Sequence, residues 1–203
     1  METTTMTIHE LIEEGIHNSY SYQEYRNIVS NLLAEGKSTG HEQSDALTNY
    51  SMLNDRRMKR LDKTIKISEA IADTVSKAET NITWLVLTEG WCGDAAQSLP
   101  VINKLSEMNE GIDFRVVSRD DNDALMNNFL TNGGKSIPKL IAYNKDTQEV
   151  INTWGPRPSV ATKMVNDYKE IHGGLDPQFK QDLQVWYNKD KGQNVAEDLV
   201  KLL

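Results

Sequence analysis

The sequence has one cysteine, Cys92, and fewer basic than acidic residues. A single thiol excludes an intramolecular disulfide, which is usual for proteins of a reducing compartment. Lysine and arginine number 22 against 30 aspartate and glutamate residues, giving a net charge of -8. Nucleic-acid binding needs an excess of phosphate-neutralising cations, so this balance argues against general binding of nucleic acids.

Long hydrophobic runs and targeting signals are also lacking. The apolar fraction of 38% and the mean hydropathy of -0.57 predict a soluble globular protein of one domain with extensions, and no membrane span. The opening residues, METTTMTIHE, have neither the basic start nor the apolar run of a secretory signal. We therefore expect a cytoplasmic protein.

No pattern of metal-binding or phosphate-binding residues is present. The four histidines are scattered, without a cysteine pair or a local carboxylate pattern, so we predict no metal site and no cofactor. The segment GGKS at 133–136 contains the last residues of a phosphate-binding loop, but Asn128 stands in place of its first glycine. We interpret this segment as the approach to Pro138.

One stretch, WLVLTEGWCGDAAQSLP at 84–100, brings together an apolar run, a turn, the cysteine and a helix. Residues 84–87 are too few for a helix and suit a strand covered on both faces. The helix formers that follow predict a helix that begins beside Cys92 and is kinked near Pro100. The thiol then lies at a helix N-terminus, where free backbone N–H groups and the helix dipole favour a thiolate.

Periodicity and capping residues predict the remaining elements. Further strands are expected at 112–117, 140–143 and 150–154, the first parallel to the central strand and the last two forming a hairpin. Ser159 and Asn194 are predicted to cap the helices that follow them, and Trp186 to lie on a buried helix face. Helices are expected at about 8–18, 21–35, 42–66, 68–77, 120–130, 159–171, 177–187 and 194–200.

WCGD after a buried strand, with Ser136-Ile137-Pro138 farther on, resembles the thioredoxin superfamily. Trp91, Cys92 and Gly93 match the first three places of its Trp-Cys-Gly-Pro-Cys signature, whereas Asp94 and Ala95 replace the proline and the second cysteine. The resemblance covers about 68–171. The helical lead-in and the phrase TEGWCGDAAQSLP further resemble a bacterial branch of thioredoxin-like proteins that keeps one cysteine.

The resemblance implies an α/β thioredoxin-like three-layer sandwich with a mixed central sheet of about four strands. The domain is expected at 68–172, with a helical N-terminal extension at 1–67 and a helical C-terminal extension at 173–203 that packs on the core. Ser136, Ile137 and Pro138 would form the family's cis-proline loop, which receives substrate and could leave the backbone of Ile137 free to pair with an extended peptide. Gly155 matches the family's glycine after the next strand.

The departures from the signature limit the chemistry. Ala95 cannot release a mixed disulfide as a second cysteine would. We therefore predict monothiol exchange by Cys92, in a site shaped by Trp91, Gly93 and Asp94, with protein or low-molecular-weight thiols and disulfides as partners and an external thiol as resolving agent. The alternatives are a non-catalytic protein-binding module with an inert Cys92, and peroxide sensing through a sulfenic acid.

Two groups of charges bear on these alternatives. The carboxylate of Asp94 disfavours a nearby thiolate, and Arg157 is predicted to pair with it or to face Cys92; the alternative is an exposed loop arginine.

A basic cluster on the third helix is either a solvated face that pairs with Asp55 and Asp62, or a docking site for an acidic partner or a phosphate group. Its members are Arg56, Arg57, Lys59, Arg60, Lys63 and Lys66.

Overall fold

A mixed sheet of four strands forms the centre of the computed structural model, which describes residues 6–203. The spatial order is β2-β1-β3-β4, with β2 parallel and β3 antiparallel to β1, and β3 and β4 joined as a hairpin. This confirms the predicted mixed sheet, its parallel pair and its hairpin. The strands are β1 (Ile82–Thr88), β2 (Ile112–Ser118), β3 (Lys139–Asn144) and β4 (Glu149–Trp154).

The apolar sequence of β1 explains its central position. All seven of its residues are buried, because other strands flank it and helices cover both faces of the sheet. The edge strand β4 has mostly exposed or half-buried residues. The central strand therefore carries the segment 89–92 from the most buried part of the core to the start of the next helix.

Helices cover the sheet and extend beyond it. The predicted N-terminal extension includes residues 1–5, which lie outside the described residues. None of the described helices is both long and apolar enough to cross a membrane. The helices are α1 (Ile8–His17), α2 (Tyr22–Ala34), α3 (Asp45–Thr64), α4 (Glu69–Lys77), α5 (Gly93–Ser106), α6 (Asp123–Asn127), α7 (Ser159–His172), α8 (Pro177–Asp190) and α9 (Gln193–Leu199), followed by a short 3-10 turn at Val200–Leu202.

The helix predicted at 120–130 is shorter in the structure, where α6 begins at Asp123. The backbone N–H of Asp120 donates to the buried carboxylate of Glu89, and its own carboxylate accepts from Arg119 and from the backbone N–H of His41. These long-range bonds hold Asp120 in a loop. In contrast, α5 continues through Pro100 to Ser106.

The N-terminal helices are joined by buried charge. Arg26 on α2 donates to Asp55, at 3.0 Å, and to Asp62, both on α3. Lys59 also pairs with Asp55, at 2.7 Å. The two aspartates that were predicted to pair with the basic cluster therefore serve chiefly to attach α2 to α3, and α3 in turn packs across α5.

The C-terminal helix α9 caps α7. The Asp198 carboxylate accepts from the backbone N–H of Ser159 at 2.6 Å and from its hydroxyl at 2.9 Å, and Asn194 accepts from the N–H of Val160 at 2.9 Å. The predicted caps are wrong in detail: Ser159 is the first residue of α7, and Asn194 lies inside α9, whose N-cap is Gly192 at φ +83°. The side chains expected to cap their own helices instead join the two helices to each other.

We predict that Asp198→Ala lowers the free energy of unfolding by about 1 to 3 kcal/mol, because it leaves the buried indole N–H of Trp154 and the part-buried donors of Ser159 without an acceptor. Chemical denaturation measures this loss. The control is Glu197→Ala, at an exposed neighbouring position on α9, which should change stability by less than about 0.5 kcal/mol. Equal effects of the two substitutions would contradict the capping role.

Candidate functional site

The turn after β1 places Cys92 at the start of α5. The backbone N–H of Cys92 donates to the carbonyl of Glu89 at 3.0 Å, and the Cys92 carbonyl accepts the first bond of the helix from Ala96 at 3.1 Å. Cys92 is the N-cap residue, and its Sγ accepts from the N–H of Ala95 at 3.4 Å. The sulfur therefore faces the helix terminus, where the sequence places it.

The thiol proton is bonded to the proline loop. Sγ of Cys92 donates to the carbonyl oxygen of Ile137 at 3.2 Å, and the Ile137–Pro138 peptide bond is cis. Cys92 is only 8% exposed, and both Ile137 and Pro138 are buried. The family resemblance implies that the backbone of Ile137 could pair with an extended peptide. In the structure its carbonyl oxygen already accepts a hydrogen bond from the thiol.

Burial determines the protonation of Cys92. Desolvation, and second the nearby Asp94 carboxylate, raise the pKa of the Cys92 thiol to about 12. The backbone N–H groups of Ala95 and Asp94 and the charge of Arg157 lower the pKa, but burial outweighs them. The expectation from the sequence that the thiolate forms easily is therefore wrong for this conformation.

A buried cluster around Asp94 connects three parts of the chain. Arg157 donates to one carboxylate oxygen of Asp94 at 2.7 Å, and the hydroxyl of Tyr187 donates to the other at 3.0 Å. Burial raises the pKa of Asp94, although Arg157 and Tyr187 both lower it. The sequence identified the pairing of Arg157 with Asp94 but missed Tyr187, because Trp186 was assigned to the buried face of α8. Tyr187 is 2% exposed, whereas Trp186 is half-buried.

The helices α3 and α8 form the walls of a cleft of about 710 Å³ beside Cys92. Trp91, Gly93, Asp94 and Arg157 line it together with the cysteine. Arg119 stacks on Trp91, with the guanidinium carbon 4.9 Å from the ring centroid. The sequence predicts no cleft here, although it singles out Arg57 as a member of the basic cluster. The other lining residues lie on α3 and between positions 175 and 184: Leu47, Tyr50, Leu53, Asn54, Arg57, Leu175, Pro177, Lys180, Gln181, Leu183 and Gln184.

The residues predicted to bind substrate divide into two groups. Arg157 lines the cleft, whereas Ser136, Ile137, Pro138 and Gly155 do not. Gly155 has φ +110°, and a β-carbon there would lie 2.1 Å from the carbonyl oxygen of Pro138. Only glycine fits this approach. Ile137 contacts the thiol directly, and Gly155 packs against Pro138 next to it.

A family model described as thioredoxin matches residues 40–169, and the chain belongs to this family. The match begins before 68, so it includes α3, which the resemblance in the sequence left out. Similar solved structures include a Pseudomonas aeruginosa protein of unknown function, PA1234, which is 14% identical with a TM-score of 0.63 over 94% of this chain and 95% of that one. An HIV epitope-scaffold is 15% identical with a TM-score of 0.55 over 90% of this chain and 97% of its own.

At these identities the two structures show a likeness of fold alone. No match is found among curated proteins.

We predict that Arg157→Gln destabilises the protein by about 2 to 4 kcal/mol at pH 8, because it leaves the buried Asp94 carboxylate without its cation. The pKa of Asp94 in the folded protein already lies above its ordinary value, and the substitution raises it further. For such an acid, stability is lost as pH rises from the unfolded pKa to the folded pKa, so the penalty at pH 5 should be smaller.

Urea denaturation at pH 5 and pH 8 measures both values. Adding Asp94→Asn to Arg157→Gln removes the unpaired charge, and should restore stability at pH 8 and abolish the difference between the two pH values. An equal loss of stability in Arg157→Gln at pH 5 and pH 8 would contradict the prediction that Asp94 is ionised beside Arg157.

Proposed function

We propose that this thioredoxin-family chain is a binding protein whose ligand occupies the cleft beside Cys92, with the cysteine as a neutral wall of the site. The observation that carries this proposal is the state of the thiol: it is buried, and its proton is donated to the carbonyl of Ile137. A thiol in this state is a poor nucleophile, because the thiolate is the form that attacks.

The pKa of the thiol acts against turnover. Burial, and second the Asp94 charge, raise the pKa of Cys92 to about 12, so the neutral thiol is the major form at pH 7. Ala95 also supplies no second sulfur within the motif. The arrangement thus favours binding over the family's two-cysteine cycle.

The cleft has the properties of a ligand site. Its volume of about 710 Å³ lies within the range of small-molecule pockets, about 300 to 1,000 Å³. Its walls are largely apolar side chains with a few charged and amide groups, the usual composition of such pockets. Because α3 and α8 supply most of these walls, the two helices have a role in this proposal: they border the face beside the cysteine and make it a cleft.

Monothiol exchange is the second candidate, favoured by the bond from the Ala95 N–H to Sγ. If a bound disulfide displaced the Ile137 carbonyl and the thiol lost its proton to solvent, the thiolate would attack one sulfur and expel the other as a thiolate. An external thiol would then reduce the mixed disulfide and return Cys92 to its thiol form. Its partners would be protein or low-molecular-weight thiols and disulfides.

Other features of the proposal rest on the sequence. The division of the chain at 67/68 and 172/173 stays a prediction, as does the cytoplasmic location. The roles of Trp91, Gly93 and Asp94 as shaping residues, and of the proline loop as support, are likewise proposals.

We predict that iodoacetamide alkylates Cys92 in the native protein more than about a hundredfold more slowly than in the urea-unfolded protein at pH 7. The native rate should rise about tenfold per pH unit from pH 6 to pH 9 without levelling off, because the thiolate fraction grows in that proportion below the pKa. Mass spectrometry of the single thiol measures the rate. A fast native reaction that levels off near pH 7 would contradict the binding proposal and favour exchange.

A further inference from the structure

We infer that the cleft takes a small organic anion, an apolar carboxylate whose charged end binds Arg57. This inference rests on the proposed function, because it identifies the class of ligand for the same cleft. It also assigns a binding role to Arg57, one member of the basic cluster on α3, whereas a solvated face would have no such role.

Arg57 is a half-buried cation that forms no ion pair with residues 6–203; burial lowers its pKa, and the Asp94 charge opposes this from beyond ion-pair distance. Among residues 6–203, its side chain donates to the neutral amide oxygen of Asn54, at 2.8 Å, and no carboxylate lies within ion-pair distance. Asn54 is 1% exposed and is itself held by a bond to the carbonyl of Gly90, at 3.0 Å. The guanidinium is thus fixed at the cleft wall with donors to spare, since arginine carries five N–H groups.

A second donor points to the same place. Gln97, which is 3% exposed, donates to the amide oxygen of Gln184 at 2.9 Å and so directs the amide nitrogen of Gln184 towards Gly93. A β-carbon on Gly93 would lie 3.6 Å from Nη1 of Arg57 and 3.7 Å from this nitrogen. Two donors therefore lie beside Gly93 on the side that has no side chain, together with Oδ1 of Asn54, which already accepts from Arg57.

The charges of the cleft are complementary to an anion. Its charged lining residues are Arg57, Arg157, Lys180 and Asp94, so three positive charges face one negative charge in a chain of net charge -8. Asp94 is engaged by Arg157 and Tyr187. Arg57 and Lys180 are left as the cations available to a ligand, and a carboxylate accepts well from a guanidinium.

The rest of the lining fits an apolar body. Leu47, Leu175 and Leu183 line the cleft, and Tyr50 and Leu53 remain 58% and 43% exposed beside Arg57. A ligand that covers these side chains removes apolar surface from water while its carboxylate stays at the guanidinium. The volume of about 710 Å³ suits a small molecule, which is the occupant we assign.

Isothermal titration calorimetry of the full chain with octanoate, and with uncharged 1-octanol, tests the inference. We expect saturable binding of octanoate that Arg57→Gln weakens by about 10- to 100-fold, the loss typical of a hydrogen bond to a charged group. The matched control is Arg56→Gln on the exposed side of α3, which should change octanoate affinity less than about twofold. Binding of 1-octanol should be equal in all three proteins, and their unfolding midpoints verify that they are folded.

Octanoate binding that is equally strong in Arg57→Gln, while Leu53→Ser weakens both ligands, would overturn the assignment of the anion and leave the cleft as a ligand site. Failure of both octanoate and 1-octanol to bind the wild-type chain would overturn the inference and remove the support for a ligand site as well. If Arg56→Gln and Arg57→Gln weakened octanoate binding equally, the effect would be due to the general surface charge of α3. This result would also overturn the inference.

Discussion

Desolvation of Cys92 and Asp94 is the constraint on which the site depends. The start of α5 offers the sulfur a backbone N–H and a favourable dipole, typically worth about 0.3 to 1 kcal/mol at a helix end. Burial and the Asp94 charge act in the opposite direction, and the rise of the pKa from 9.0 to about 12 corresponds to a shift on the order of 4 kcal/mol towards the neutral thiol. The effect of burial is larger than that of the helix end, so Cys92 is a neutral thiol. An exposed cysteine at the same helix terminus would be activated instead.

Segments that lie far apart in the chain surround Asp94 and the cleft beside Cys92. Tyr187 from α8 and Arg157 from the loop before α7 enclose Asp94, and α3 faces them across the cleft. The proline loop lies against the thiol: the Ile137 carbonyl accepts a hydrogen bond from Sγ of Cys92, and Gly155 packs directly on Pro138. The cleft that results has a volume of about 710 Å³, the size on which the proposed function rests.

The sequence predicts the fold more completely than the site. The apolar run at 84–87, the helix formers after Cys92 and the hairpin at 140–154 are local patterns, and each appears in the structure. The pairing of Arg157 with Asp94 followed from matching both residues to the family fold. Tyr187 was missed because positions 186 and 187 fit a helical face almost equally well after Leu183, and only tertiary packing selects between them.

Long-range contacts account for the other differences. Ser159 and Asn194 have the residue types of caps for their own helices, but their bonds run between α7 and α9. Arg57 was identified as one of six basic residues, and nothing in a single sequence distinguishes the one that faces a cleft from those that face solvent. Similarly, the walls of the cleft beside Cys92 come from α3 and α8, which lie far from it in the chain.

The most direct test of the account is the ionisation of Cys92 itself. The lone cysteine gives one resonance in protein labelled with carbon-13 at the cysteine Cβ, and its chemical shift reports the thiol and thiolate forms. The account predicts a constant shift from pH 5 to pH 9 in the native protein. A titration with a midpoint at or below about pH 7.5 would contradict it, because the thiol would then be ionised in the folded state.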